Sequence, residues 1–263
     1  FVVATKFSFN QRHGDPNAGG NHRKNMAQAL HGSLKRLGTD YVDLYWMHAW
    51  DELTPIEDVM RAFDDFVRAG KVLYIGVSDA PAWWVARANT LAELRGWTQF
   101  VGLQIEYNLI ERTPERELLP MAKALGLTVT PWSPLASGWL TGKYTGKAKE
   151  DRRLDKTPQF ARRTERNETI ARTVVKIAKA AGKSPAQVAL NWLRAKDTLP
   201  IIGARKLSQL KDNLDCVKWS LNAKQLAQLD EVSKIEPGFP RDFLDRPFVR
   251  DFLHGGLWDR IKS

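Results

Sequence analysis

The sequence predicts a parallel α/β fold, because short apolar strands alternate with amphipathic helices along its length. Each strand ends in a polar or aromatic residue, and in parallel α/β proteins such strand ends form one functional rim. No Gly-x-Gly-x-x-Gly run stands at a strand–helix junction, which disfavours a doubly wound sheet and favours a (β/α)8 TIM barrel. The six predicted strands are Val2–Lys6, Val42–His48, Val72–Ser78, Val101–Tyr107, Leu127–Ser133 and Leu199–Ala204.

The predicted helices lie between and after these strands, and capping residues mark their ends. Thr54-Pro55-Ile56-Glu57 predicts an N-cap, a proline at the first helical position and a capping-box acid. Gly38 and Gly70 are typical helix stops. The predicted helices are Lys24–Leu37, one from Thr54 to Ala69, one begun at Pro81, Pro114–Leu125, Thr169–Ala181, Pro185–Ala195, Leu207–Val217 and Ala223–Ile235. The tail after Pro237 carries aromatic residues that we expect to pack across the barrel.

Length and composition favour a single soluble domain spanning 1–263. Hydrophobic residues make up 43% and charged residues 27%, as in ordinary globular proteins, and no apolar run approaches the ~20 residues of a membrane span. The single cysteine, Cys216, excludes an internal disulfide and a multi-cysteine metal site. We therefore expect a cytoplasmic protein with no metal site and no membrane association.

The net charge of +10 raises the question of nucleic-acid binding. The basic residues are scattered over many helices and form no stripe, so we expect no nucleic-acid partner. A solvated loop and helix start is the favoured interpretation of the densest cluster, which comprises Arg152, Arg153, Lys156, Arg162, Arg163 and Arg166. An anionic cofactor remains a second kind of partner, since it needs only a few well-placed cations.

Two titratable residues at strand ends are candidate catalytic groups. Lys6 ends an apolar strand, where partial burial would lower the pKa of its amine, although an exposed strand-end lysine fits the position equally well. His48 ends a second strand and is either a structural histidine or a catalytic one. Asp43, on the same strand, is either a surface acid or a partner for Lys6.

Polar residues at the next strand ends suit a planar carboxamide. Ser78, Asp79 and Gln104 offer both donors and acceptors, although any barrel rim is polar. Trp132 offers a flat face for stacking on a heteroaromatic ring, with an ordinary core or surface tryptophan as the alternative.

Two segments have the composition of anion sites. Ser133–Lys143 joins small residues, two glycines and a lysine directly after a strand, which suits a pyrophosphate. In the segment 203–213, a glycine turn opens a helix whose first turn carries the cations Arg205 and Lys206, a place where barrels often bind phosphate. The alternatives are a loop without a ligand and a solvated polar helix face.

Together these motifs resemble the aldo-keto reductase superfamily over essentially the whole chain. The pattern is most similar to the bacterial branch that includes potassium-channel β subunits. The most specific segments are Asp43–His48, Gly76-Val77-Ser78, Gln104 with Glu106-Tyr107-Asn108, Pro131–Leu135 with Gly142-Lys143, and Gly203-Ala204-Arg205.

The resemblance implies a (β/α)8 barrel that binds NADP(H) and reduces aldehyde or ketone carbonyls of small molecules reversibly to alcohols. Lys6 matches the lysine that depresses the pKa of a catalytic tyrosine, and His48 matches the histidine that orients the carbonyl. Arg205 favours NADPH, since a guanidinium suits a phosphate dianion. The implied cofactor contacts are Ser78, Asp79 and Gln104 to the carboxamide, Trp132 to the ring, Ser133, Pro134, Leu135, Gly138 and Lys143 to the pyrophosphate, and Gly203, Arg205, Gln209, Asp212 and Asn213 to the adenosine end.

The chain departs from the family pattern in two ways. Asp79 stands where the family usually has asparagine, which removes one amide donor to the carboxamide. No position matches the catalytic aspartate and tyrosine of the family, so we expect that they precede Phe1 and that the chain carries strands three to eight.

Substrate identity and oligomeric state are not readable from the sequence. The predicted substrate contacts lie in rim loops, foremost Trp50 and Asp51, with the long loop Ser8–Asn21, Trp83-Trp84 and the tail Phe239–Trp258 as further candidates. An NADPH-binding regulatory subunit with slow turnover is the alternative to an enzyme.

Overall fold

A computed structural model describes residues 1–144 and 164–261 of the chain, and its framework is a parallel sheet. Five strands pair in sequence order, each with the next. They are β1 (Ala4–Phe7), β2 (Val42–Met47), β3 (Val72–Ser78), β4 (Phe100–Glu106) and β5 (Thr128–Trp132).

The helices alternate with the strands in the first half of the chain and follow one another in the second half. They are α1 (Arg23–Leu37), α2 (Ile56–Arg68), α3 (Ala82–Arg95), α4 (Leu118–Ala124), α5 (Glu165–Ala181), α6 (Pro185–Arg194), α7 (Leu207–Leu214), α8 (Ala223–Val232), α9 (Arg241–Leu244), α10 (Pro247–His254) and α11 (Trp258–Ile261). Short 3-10 turns lie at Pro16–Ala18, Thr113–Glu115, Ala136–Thr141 and Asp215–Lys218. Among the described helices none has both the length and the apolar character to cross a membrane.

Residues of alternating position along each strand form the core between sheet and helices. Phe7 and Tyr45 of neighbouring strands pack on Phe63 of α2, with ring centroids 5.7 and 5.9 Å from it, and Phe100 lies 5.6 Å on its other side. Edge-to-face contacts of this kind add to the burial of large apolar surfaces. This aromatic layer fixes which face of each strand points to the helices.

The opposite face of the sheet carries one large buried ring, that of Trp46. Lys6, Trp46, Gly76 and Gly102 stand side by side in the register of the first four strands. A Cβ atom at Gly76 would overlap the Trp46 ring, and one at Gly102 would lie 2.9 Å from it. The two glycines therefore make room for the buried indole, which fills the space directly below the strand ends.

The sixth predicted strand, Leu199–Ala204, does not form. The N–H groups of Leu199 and Ile201 donate to Val129 O and Pro131 O at 2.9 Å, so the segment runs beside β5 for one short stretch. Among the described residues it gains no partner on its other side, and the sheet has five strands. The run of apolar residues correctly predicted that the backbone of this segment is extended. Whether an extended segment forms a continuous ladder of hydrogen bonds depends on its partner strand, which the sequence pattern alone does not reveal.

Predictions at the ends of several elements were wrong. The first strand begins at Ala4 and not at Val2, and α2 begins at Ile56 with Pro55 at its N-cap. The helix predicted from Pro114 begins at Leu118, and α7 ends at Leu214 and not at Val217. Thr54 does not cap α2, because its N–H and hydroxyl both donate to the Asp51 carboxylate, at 2.9 and 2.8 Å. The predicted cap at Asn222 is confirmed, with a full capping box to Gln225.

A fully bonded polar network joins the end of β4 to α8. The buried guanidinium of Arg112 donates twice to Glu115, and also to Asp230 O and the Ser233 hydroxyl, all between 2.8 and 2.9 Å. Trp192 lies under the same guanidinium, 5.2 Å from its carbon, and donates from Nε1 to the Asp230 carboxylate. We name these five residues the Arg112 network.

The basic cluster and the tail differ from their predictions. Arg166 is not simply solvated, since its guanidinium donates to Ile110 O and Ser233 O at 3.0 and 2.8 Å. The other five cations of that cluster lie outside the described residues. The aromatic residues of the tail contact one another, and Phe239 and Phe252 remain 84% and 81% exposed, so the two rings are not packed into the body of the protein.

Candidate active site

The sheet register brings the predicted rim residues to one face. His48, Ser78 and Gln104 each stand two residues beyond Trp46, Gly76 and Gly102, and Ser78 pairs directly with Gln104. Because side chains repeat every two residues along a strand, these three share the face of the Trp46 ring. The structure thus places them together directly above that ring.

Lys6 lies one level below and reaches up to this group. Its ammonium donates to Gln104 Oε1, a contact between residues 98 positions apart. Burial lowers the pKa of Lys6, and the charge of Asp79 opposes that effect. Asp43 is not its partner, since the Asp43 carboxylate accepts from the backbone N–H of Val3 at 2.9 Å.

His48 is half-buried beside an aromatic wall. The Phe9 ring lies 4.2 Å from its imidazole, centroid to centroid. Burial lowers the pKa of His48, the nearby charge of Lys6 lowers it further, and the charge of Asp79 raises it. A neutral imidazole is a hydrogen-bond donor and acceptor at once, which suits contact with a carbonyl oxygen.

Ser78 is the most informative residue at the rim. Its side chain is fully buried, and its hydroxyl finds no hydrogen-bond partner among the described residues. Buried polar groups are almost always bonded, so an orphaned hydroxyl needs an explanation, and a ligand group at this strand end is the simplest one.

Asp79 and Trp132 form a bridge over the same strand ends. The indole Nε1 of Trp132 donates to Asp79 Oδ1 at 3.0 Å, and Trp132 is half-buried. The Asp79 carboxylate therefore already has a hydrogen-bond partner within the protein. This differs from the direct contact with the carboxamide that was predicted for Asp79.

A groove of about 720 Å³ starts beside these residues and runs between the segment after β5 and α7. Ala136, Ser137 and Gly138 have φ values of 49°, 54° and 98°. This left-handed run turns the backbone sharply at the wall of the groove, and the N–H groups of Ala136, Ser137 and Gly138 donate to Ser133 O, Ser133 Oγ and Leu135 O within the turn. The predicted residues that line the groove are Ser133, Pro134, Leu135, Gly138, Lys143, Gly203, Arg205, Gln209, Asp212 and Asn213.

The far end of the groove is held rigidly by hydrogen bonds. Gln209 Oε1 accepts from the backbone N–H of Arg205 at 2.9 Å. The Asp212 carboxylate accepts from Ser184 Oγ and Gln187 Nε2, both at 2.8 Å. Arg205 lies before the first turn of α7, whose N-cap is Lys206, and so not in that turn as predicted.

The two predicted substrate residues have different surroundings. Asp51 accepts hydrogen bonds from Asn21, Leu53 and Thr54. Burial opposes ionisation, but these donors hold the pKa of Asp51 below its usual value. Asp51 thus organises the loop, while Trp50 meets Trp83 edge to face at 5.9 Å.

Sequence reasoning missed several residues of the site. Phe9, beside His48, falls in the loop Ser8–Asn21 that was predicted as a substrate contact, but it was not singled out within that loop. Asn108 donates to Ser133 O at 3.0 Å and so fixes the turn into the groove. Ser184 lines the groove and holds Asp212, although its place before Pro185 signalled only a helix start.

Comparison with known proteins assigns residues 1–234 to the sequence model of the Aldo/keto reductase family. The chain is 33% identical over 263 residues to a probable aryl-alcohol dehydrogenase of Saccharomyces cerevisiae, covering 94% of this chain and 79% of that protein. It is 36% identical over 259 residues to the aryl-alcohol dehydrogenase [NADP(+)] of Phanerodontia chrysosporium, covering 91% and 66%. It is 39% identical over 225 residues to an uncharacterized oxidoreductase of Bacillus subtilis, covering 83% and 68%.

Proposed function

The chain belongs to the aldo/keto reductase family and is an oxidoreductase of carbonyl and alcohol groups, and on that premise we propose that it binds NADPH and reduces aldehydes or ketones reversibly. The orphaned hydroxyl of Ser78 is the observation that carries the proposal. The carboxamide of nicotinamide carries both a hydrogen-bond donor and an acceptor, so it would supply the partner that the buried Ser78 hydroxyl lacks.

The residues around Ser78 suit the rest of the nicotinamide. Gln104 presents its amide at the paired position on the next strand. The indole of Trp132, tied to Asp79, offers a flat face for the ring. The fit therefore involves three neighbouring strand ends and no residue outside the rim.

The groove suits the remainder of the cofactor. The left-handed turn at Ser137 and Gly138 forms one wall of the groove, and Lys143 on the same wall would supply positive charge for the pyrophosphate. Arg205 lies at the far end, where a guanidinium would bind a 2′-phosphate in a bidentate manner. This arrangement favours NADPH over NADH.

Bound there, NADPH supplies the hydride. Lys6 and His48 supply the polarising groups. His48 Nε2 or Nδ1 donates to the carbonyl oxygen, and the ammonium of Lys6 stabilises negative charge beside it. The alkoxide left by hydride transfer would take its proton from the tyrosine that the resemblance implies, which has no matching position in this chain, so Lys6 and His48 are the catalytic residues that we assign here.

In this proposal the five strands and the segment 199–204 are strands three to eight of a (β/α)8 barrel, in one domain spanning 1–263. The strand order, with each strand beside its sequence neighbour, supports it.

Aromatic aldehydes and aryl alcohols are the substrate class that we propose. Two of the relatives above are named as aryl-alcohol dehydrogenases. Phe9 beside His48, and the contact between Trp50 and Trp83 in the loops that follow β2 and β3, support a flat apolar substrate.

The test has two stages on the intact protein. NADPH fluorescence is first titrated against the protein, and then consumption of NADPH is followed at 340 nm with benzaldehyde as the probe. We expect saturable binding and turnover, with Lys6→Ala and His48→Ala both losing turnover by at least about 100-fold while binding persists. No saturable binding would refute the cofactor site. Binding without turnover would refute the reductase and favour the regulatory subunit.

A further inference from the structure

We propose that Asp79 is a positioning residue for the Trp132 ring and the negative charge that balances Lys6 and His48, an inference that rests on the cofactor site proposed above. The residue was expected to contact the carboxamide directly. The structure gives its carboxylate a different partner, and three observations lead to the new role.

The first observation is that the backbone of Asp79 is held on both sides. Its N–H donates to Gln104 O, and its carbonyl accepts from the N–H of Trp50, both at 3.3 Å. Its φ of 46° lies in the left-handed region, which aspartate and asparagine tolerate better than most residues. The side chain therefore leaves a fixed corner between β3 and α3.

The second observation is the bond from this corner to the ring. Trp132 Nε1 donates to Asp79 Oδ1 at 3.0 Å across 53 positions of sequence. An indole has one donor and no acceptor, so this bond defines the rotation of the ring about its side-chain torsions. A ring that is held in one orientation loses less freedom when a second ring stacks on it.

The third observation is the sign of the charges at the rim. The Lys6 ammonium donates to Gln104, whose backbone carbonyl accepts from the Asp79 N–H. His48 lies two residues before Trp50, whose N–H donates to Asp79 O. The charge of Asp79 favours the protonated forms of Lys6 and His48, while burial disfavours them. The other acids at neighbouring strand ends are Asp51, whose oxygens accept from Asn21 and Thr54, and Glu106 at the end of β4. Asparagine at this position would keep the acceptor oxygen and remove the charge.

The experiment separates the two parts of the role by comparing Asp79→Asn with Asp79→Ala. NMR of the indole N–H groups reports the ring, with the Trp132 resonance assigned by its loss in Trp132→Phe. We expect the chemical shift of the Trp132 indole N–H to be unchanged in Asp79→Asn and to change in Asp79→Ala. Asp58→Asn, an equal charge change on the exposed face of α2, is the control and should move nothing.

Histidine titration by NMR reports the charge. We expect the pKa of His48 to fall in Asp79→Asn and in Asp79→Ala alike, and to stay unchanged in Asp58→Asn. An unmoved His48 titration in both Asp79 variants would overturn the electrostatic part, and an unmoved Trp132 resonance in Asp79→Ala would overturn the positioning part.

Cofactor affinity completes the test. NADPH binding should weaken about three- to tenfold in Asp79→Ala and recover in Asp79→Asn. In the Trp132→Phe background, Asp79→Ala should have little further effect. Additive losses would overturn the positioning role. A parent protein that does not bind NADPH would refute the cofactor site instead, and the two NMR measurements would still decide the role of Asp79.

Discussion

The Arg112 network and the rim around Ser78 lie at the same end of the sheet, yet they differ in whether a buried polar group finds hydrogen-bond partners within the protein. In the network one buried guanidinium makes four hydrogen bonds and covers an indole ring. At the rim the fully buried Ser78 hydroxyl has no partner among the described residues. The four bonds of the network stabilise the fold, whereas the unsatisfied Ser78 hydroxyl costs stability.

This difference distinguishes residues that stabilise the fold from residues that bind a ligand, whatever the residue type. Cations, tryptophan and acids occur in both regions, as Lys6, Trp132 and Asp79 at the rim and as Arg112, Trp192 and Glu115 in the network. What distinguishes them is whether the protein itself supplies the partners. The predictions below test that distinction, beginning with the largest expected effect.

Replacing Arg112 by alanine should cause a large loss of unfolding free energy. Arg112→Ala leaves the Glu115 carboxylate without its guanidinium, and breaking a buried ion pair costs about 3–5 kcal/mol of unfolding free energy. Urea denaturation measures this loss. Arg87→Ala, which breaks an exposed pair with Glu57, is the matched control and should cost less than about 1 kcal/mol. Equal losses in the two variants would contradict the special role of the network.

A smaller loss is expected where the sheet supports the rim. Gly76→Ala forces a methyl group into the Trp46 ring, and overpacking of this kind costs about 1–3 kcal/mol. Gly32→Ala, in the middle of α1, meets only the flexible end of Arg36 and should stabilise by up to about 1 kcal/mol. Thermal unfolding of the two variants compares them, and a neutral Gly76→Ala would mean that the Trp46 ring is not tightly held.

The smallest effect concerns pH. Burial and the charge of Lys6 hold the folded-state pKa of His48 below its unfolded value of about 6.5, against the charge of Asp79. The unfolded state then binds more protons below about pH 6.5, so the contribution of His48 to stability falls as the pH falls through this range. His48→Gln should therefore gain stability relative to the parent on going from pH 7.5 to pH 5.5. Urea denaturation at both values tests this, and a constant difference would contradict it.

Sequence pattern predicted the five strands and most rim residues because both depend on periodicity along one strand. It could not predict partners that folding brings together from distant positions. Lys6 meets Gln104, and Asp79 meets Trp132, only because the register of neighbouring strands aligns them. The sixth predicted strand is extended beside β5, but its two bonds from Leu199 and Ile201 are too short a ladder to make it a strand, and the length of a ladder also depends on a distant partner.

Ser78→Ala tests the central claim most directly, because it removes the orphaned hydroxyl and nothing else. The account predicts unchanged or higher stability in urea, together with NADPH binding weakened about three- to tenfold. Ser220→Ala, at an exposed position, should change neither quantity. A Ser78→Ala protein that loses stability by more than about 1 kcal/mol and binds NADPH as the parent does would show that the hydroxyl belongs to the scaffold.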